Sequence, residues 1–351
     1  MSRDIQLAVV AAELACRQAG VGPGKVDPER FGIVFGADLI SCELEELAPA
    51  YRQCMVDGRF DFSQWGTRAL EEMFPLWMLK YLPNMPACHV GIAQDARGPN
   101  NSIVLGEVSS LAAVAEAVRV IERGAADVMI AGGTGCRLHP LVWSRRSVYD
   151  PSTWAGPPEQ SSRPFDARRC GQVFGEGAAA FVLERADHAQ RRGATPLVKI
   201  LGFASAFEPC PAGSLPQGFA IRSAIVQALT DAGLAARQVG HVNAHGLSTK
   251  HDDAIEAQAI AAVLGDVPVT APKSFFGNLA AGTGAVEMAV SVLALRNRCI
   301  PPTLNYETPD PQCPVRVVAG TTIPVETPTA VVLNHTRYGQ AMALVMAEPG
   351  F

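Results

Sequence analysis

Residues 163–184 read RPFDARRCGQVFGEGAAAFVLE. The stretch has two parts: a turn-rich beginning whose glycines serve tight turns and close packing, and an apolar run of strand length, AAAFVLE, at 178–184. Working outward, similar runs occur at FGIVFGA (31–37), DVMIAGG (127–133) and AVVLN (330–334), and each reads as a strand buried on both faces. Between them lie helical patterns over 4–19, 108–123, 219–233, 253–264 and 282–296, with apolar residues at roughly 3.6 spacing. Arg123-Gly124 supplies a stop for the second helix. Strands alternating with helices predict an α/β protein.

The length of 351 residues and the 48% hydrophobic content allow a large core and suggest two domain-sized units. A shift at residues 192–196, where a charged helix end meets a new apolar strand, divides the chain into 1–193 and 194–351. The net charge of -5 and the absence of a Lys/Arg-rich stretch argue against a nucleic-acid partner. Near the N-terminus the run AVVAAELAC is broken by Glu13 and preceded by Arg3 and Asp4, which fits an amphipathic helix better than a signal peptide. No apolar stretch is long enough to span a bilayer. The nine cysteines include no C-x-x-C pair, against both a disulfide framework and a structural zinc site. Cys16, Cys42 and Cys54 read as small packing residues, and a reducing cytoplasm is the simplest location. Residues 150–164 and 206–218, rich in Pro, Gly and Ser, read as surface loops, the first a candidate lid or partner contact.

Further segments complete a pattern: LPNMPACHVGI (82–92), GPNNSIV (98–104), VNAHGLSTKHDDAIE (242–256), APKSFFGNLAAGTGAVE (271–287) and IPPTLN (300–305). Together with 163–184, in this order, they resemble the β-ketoacyl synthases. The resemblance implies a thiolase-like fold, two similar α/β halves stacked as helix, sheet, helix, sheet, helix, dimerised through the strand just before the nucleophile. It implies no cofactor and no metal. Family members open with a strand and a glycine-containing turn before the helix that here begins near Asp4. That strand is expected to lie centrally in the first sheet, so its absence implies either a truncated start or a rearranged segment or partner chain that covers backbone groups otherwise left unsatisfied.

In the family the nucleophilic cysteine is the tenth residue counted from the first glycine of GPN, and counting from Gly98 reaches Glu107. A thiolate accepts an acyl group from a thioester at little net cost. A carboxylate would form a mixed anhydride, well uphill of a thioester, so ordinary condensation is not expected. Glu107 also fits an acid placed at a helix N-terminus, which the helix dipole favours by about 0.3–1 kcal/mol.

The resemblance assigns His245 to the first active-site histidine, a donor to a thioester carbonyl as enolate charge develops. Asn278 replaces the second histidine and keeps an amide donor. Lys273 and Glu287 match a site-organising pair, and Asp253 and Glu256 match nearby acids. All four also fit a structural charge network. Asp166 and Arg169 stay off the catalytic set. Where the family has a glycine-rich turn packed over the nucleophile, this chain reads Arg337-Tyr338-Gly339-Gln340-Ala341-Met342. Arg337, or failing that His335, is expected to pair with Glu107 and plug the acyl pocket.

Three functions follow. The first is a non-condensing subunit resembling chain-length factors, paired with an active ketosynthase or with itself. It would dock an acyl carrier protein through Arg145, Arg146, Arg168 and Arg169. The second is a malonyl-carrier decarboxylase using His245 and Asn278, which requires Glu107 to be protonated, paired or turned away, because an ionised carboxylate would repel malonate. The third is acid/base chemistry by Glu107 on another acyl thioester.

Overall fold

The structure is a computed structural model that describes all residues except 146–148 and 212. Four strands, β1 (Phe31–Gly36), β2 (Asn100–Ile103), β3 (Val128–Cys136) and β4 (Glu176–Glu184), form the first sheet in the order β2-β1-β3-β4. The second sheet contains β5 (Lys199–Phe207), β6 (His241–Asn243), β7 (Pro268–Thr270), β8 (Arg316–Val317), β9 (Thr329–His335) and β10 (Gln340–Ala347), in the order β8-β7-β6-β9-β10-β5. In each sheet the three consecutive strands β2-β1-β3, or β7-β6-β9, are parallel and the next, β4 or β10, is antiparallel. The halves therefore repeat one topology.

Five helices build the other layers: α1 (Arg3–Ala19), α2 (Ser109–Glu122), α3 (Phe219–Ala232), α4 (Lys250–Leu264) and α5 (Thr283–Asn297). The pleat explains their placement, because successive strand residues face opposite sides. On β1, Ile33 and Phe35 join an outer core with Ala8, Ala12 and Cys16 of α1, while Val34 between them joins the middle core with Leu111 and Val114 of α2. On β9, Val332 enters that middle core beside Met288 and Leu295 of α5, while Val331 and Leu333 pack outward on Ile225 of α3 and Ile260 of α4. Two sheets, each apolar on both faces, produce five layers with α2 and α5 in the centre. The expected α/β, thiolase-like αβαβα arrangement is observed.

The predicted helices match within one residue at each end, apart from α4, which starts three residues early at Lys250 because Thr249 caps it, its hydroxyl accepting from the backbone N–H of Asp252. The first sheet corrects one expectation. β1 pairs directly with β3 along the whole of β1, so no strand lies between them. The second half shows where a fifth strand belongs: β5 lies outside β10 as an edge strand. β4, the counterpart of β10, has no strand on that side among the described residues, and all nine of its residues are only half-buried.

The loop at 150–164 is tied down rather than free. Ser152 N–H donates to the Gln172 carbonyl, Gln172 N–H donates to the Asp150 carbonyl, and the Arg163 guanidinium lies 3.7 Å from the Trp154 ring centroid. The loop at 206–218 is closed by Glu208, whose carboxylate accepts from the backbone N–H groups of Gln217, Phe219 and Ala220 at the start of α3. Among the described residues, no helix is long and apolar enough to cross a membrane.

Candidate active site

The site lies where β3, β6 and β9 end and α2 begins. Glu107 sits on the 3-10 turn Gly106–Val108 that leads into α2. Gly106 has φ 58°, a left-handed conformation that favours glycine. Ser109 clamps the turn, its hydroxyl donating to the Gly106 carbonyl at 2.6 Å and accepting from Leu105 N–H at 2.8 Å.

The counter-ion of Glu107 is Arg137, just past β3. Its Nη2 donates to Oε1 at 2.5 Å, with side chains 5% and 16% exposed. This replaces the expected partners. Arg337 does not enter the pair and its side chain is exposed, while His335 faces Glu256, with Nε2 3.8 Å from Oε2. The expected pairing with Arg337 or His335 is not formed, and the β9–β10 connection is a tight turn: Thr336 N–H donates to the Gln340 carbonyl and Gly339 N–H to the Thr336 carbonyl. That geometry sends Tyr338 into solvent, 65% exposed, while Thr336 faces Gly106. Arg137 also stacks on Tyr149, its Cζ 4.3 Å from the ring centroid.

Asn278 reaches the same carboxylate, with Nδ2 3.4 Å from Glu107 Oε1, and makes a shorter bond of 2.7 Å to Gln172 Oε1. Its Oδ1 accepts from Ala280 N–H at 2.9 Å, which fixes the orientation of the amide. Glu107, Arg137, Asn278 and Gln172 thus form one polar network. Asp38 belongs to its surroundings: burial raises its carboxyl pKa, the Glu107 charge adds to the rise, and Arg137 opposes it.

His245 is fully buried beyond β6. Glu256 on α4 holds its loop by accepting from His245 N–H at 2.7 Å and Gly246 N–H at 2.8 Å. Nδ1 lies 2.9 Å from Lys273 Nζ and 3.2 Å from Asn334 Nδ2. A lysine ammonium only donates, so Nδ1 accepts and the ring proton sits on Nε2. That Nε2 is buried without a hydrogen-bond partner among the described residues. Burial, then the charges of Lys273, His335 and Arg137, hold the imidazole pKa well below its usual value, so the ring is neutral.

Glu287 accepts from Lys273 Nζ at 2.5 Å and from Asn334 Nδ2 at 2.6 Å, and burial lifts its carboxyl pKa to about 7 against the pull of Lys273. Asp253 serves a neighbouring loop, accepting from Phe165 N–H at 2.8 Å, with Arg169 Nε 3.7 Å away. Burial lifts Asp253 to about 7.

The arrangement joins Glu107 to Asn278 and His245 to Lys273 and Glu287, while Asp253 and Glu256 act on the backbone behind them. Arg137, Gln172, Asn334 and Asp38 were not singled out from sequence. Gln172 and Asn334 lie inside the quoted stretches, but nothing local distinguishes a side chain that turns into a site from one that packs.

Among the docking arginines, Arg169 is fully buried and bonded to Thr249 and Asp310, so it cannot meet a partner. Arg168 is partly exposed and paired with Asp166 and Glu307, and Arg145 is exposed. Arg146 lies outside the described residues.

With this geometry in place, comparison with known proteins is direct. Residues 1–189 match the beta-ketoacyl synthase N-terminal domain and residues 199–307 its C-terminal domain. Nodulation protein E of Rhizobium meliloti (strain 1021) is 37% identical over 95% of this chain and 79% of its own length. The tetracenomycin polyketide synthase ketoacyl synthase alpha subunit of Streptomyces glaucescens is 34% identical over 99% of this chain and 81% of its own. Among solved structures, a type II polyketide ketosynthase in complex with its acyl-carrier protein superposes with a TM-score of 0.86, at 27% identity over 99% of this chain and 85% of that one. A beta-ketoacyl synthase from Burkholderia phymatum STM815 gives 0.87, at 28% identity over 99% and 83%. Two matching domains, a repeated αβαβα topology and a histidine held by a lysine–glutamate pair agree: the chain belongs to the β-ketoacyl synthase family.

Proposed function

We propose that this chain is a non-condensing ketosynthase-like subunit, of the chain-length-factor kind, that pairs with an active β-ketoacyl synthase in polyketide or fatty-acid biosynthesis and meets acyl groups on a carrier protein. The observation that carries this reading is the 2.5 Å ion pair between Glu107 and Arg137 at the position where the family places its nucleophile. One oxygen of the carboxylate, Oε1, already accepts from the guanidinium, and acylating the group would create an anhydride that lies uphill of the thioester. Asn278 donates to Gln172 as well as to Glu107, so its amide is also engaged.

Pairing through the first sheet is supported by β2, an edge strand, with exposed Val104 and Leu105 following it and exposed Ile92 on the neighbouring helix Met85–Gln94. The carrier-protein partner extends to this chain what the relatives' names say of polyketide synthases and of a ketosynthase complex. To test the reading, the protein is incubated with acyl-carrier thioesters and its intact mass followed, then combined with an intact ketosynthase. No acyl adduct on this chain, together with condensation that requires both subunits, supports it. An adduct, or condensation by this chain alone, overturns it.

One observation favours a second reading, decarboxylation of malonyl-carrier thioesters: the buried, unpartnered Nε2–H of His245 is a preorganised donor for an enolate oxygen. Conversion of malonyl- to acetyl-carrier protein that disappears in His245→Ala would establish it.

A further inference from the structure

We propose that Arg137 is an anchor for the carboxylate of a malonyl-type acyl thioester, and that the Glu107 carboxylate occupies this anchor in the resting protein. The inference rests on reading the site as one that faces carrier-bound acyl groups without being acylated.

A guanidinium presents five N–H donors in a rigid fork matched to a carboxylate. Arg137 uses Nη2 on Glu107, while its Nε and Nη1 are buried with no hydrogen-bond partner among the described residues. The side chain is 5% exposed and braced by the Tyr149 ring 4.3 Å from Cζ, so the unused donors cannot turn out to water. A buried donor without an acceptor is costly, which makes the remaining edge of the fork a place for a second acceptor.

Glu107 is more accessible than Arg137, at 16% against 5%, so its carboxylate is the member of the pair that an incoming carboxylate would displace. Asn278 Nδ2, 3.4 Å from the same Glu107 oxygen, gives a second donor at that point. One carboxylate matches the unused edge of the Arg137 fork beside the Asn278 amide. Acetyl and longer neutral acyl groups lack the carboxylate and leave Arg137 to Glu107.

The test compares malonyl-pantetheine with acetyl-pantetheine, which differ by one carboxylate, in equilibrium binding to wild type, Glu107→Ala and Glu107→Ala/Arg137→Gln in carboxylate-free buffer. Glu107→Ala is expected to prefer the malonyl compound by about tenfold or more, wild type by less because Glu107 competes, and the double variant not at all. Equal affinities in Glu107→Ala, or a preference that survives Arg137→Gln, overturn the proposal. Should Glu107→Ala fail to fold, Glu107→Gln carries the same comparison. The readout is a difference in affinity rather than acyl transfer, so failure here leaves the non-condensing reading to its own test.

Discussion

Lys273 Nζ lies 2.9 Å from His245 Nδ1 and 2.5 Å from Glu287 Oε1, joining three fully or nearly fully buried side chains through one ammonium. The lysine neutralises Glu287 and holds the His245 proton on Nε2. Lys273→Met is therefore expected to destabilise the protein by about 3–5 kcal/mol, because it leaves a buried carboxylate without its cation. Adding Glu287→Leu should recover part of that loss. Urea unfolding of the two variants checks both.

Glu107→Cys places a thiol beside a buried guanidinium that has lost its counter-ion. The cation favours the thiolate, so residue 107 is expected to be alkylated by iodoacetamide about tenfold faster at pH 6.5 than in the Glu107→Cys/Arg137→Gln double variant. Peptide mass spectrometry separates this site from the nine native cysteines. Equal rates would remove Arg137 as the electrostatic partner of this position.

His241, on β6, is fully buried, neither ring nitrogen has a hydrogen-bond partner among the described residues, and burial lowers its pKa from 6.5 to about 4. Between those values the unfolded chain binds the proton and the folded chain does not, so this residue's contribution is complete above pH 6.5 and is lost as pH falls toward 4. His241→Leu removes the dependence. The stability gap between wild type and variant is expected to shift in favour of the variant by about 1.4 kcal/mol per pH unit across that window, measured by urea unfolding.

Gly339 has φ 89°, and a Cβ there would sit 2.1 Å from the Glu208 carbonyl oxygen. Gly339→Ala must break the Glu208 N–H to Gly339 carbonyl bond or move the turn, and is expected to cost about 1–3 kcal/mol. Faster hydrogen exchange at Glu208, ahead of global unfolding, would locate the damage.

Local pattern made much of the fold readable. Runs such as FGIVFGA contain alternating residues committed to two different cores, so they read as continuously apolar, and helices such as α2 carry an apolar face that their spacing reveals. The position of the first half's outer strand was misjudged because strand order is a property of pairing across the sheet. β1 and β3 are about a hundred residues apart in the chain and adjacent in space.

The site divides in the same way. Glu107, His245, Lys273, Asn278 and Glu287 were candidates from the sequence because each occupies a place in an ordered motif, where residue type and spacing carry the information. Those properties belong to the sequence by itself, as do the two α/β halves and the carboxylate at position 107. The tertiary structure decided that Arg137, not Arg337, meets that carboxylate, that Gln172 engages Asn278, and that Arg169 is buried. A charged side chain takes whichever counter-ion the packing of separate strands brings within about 4 Å, and no spacing along the chain encodes that distance.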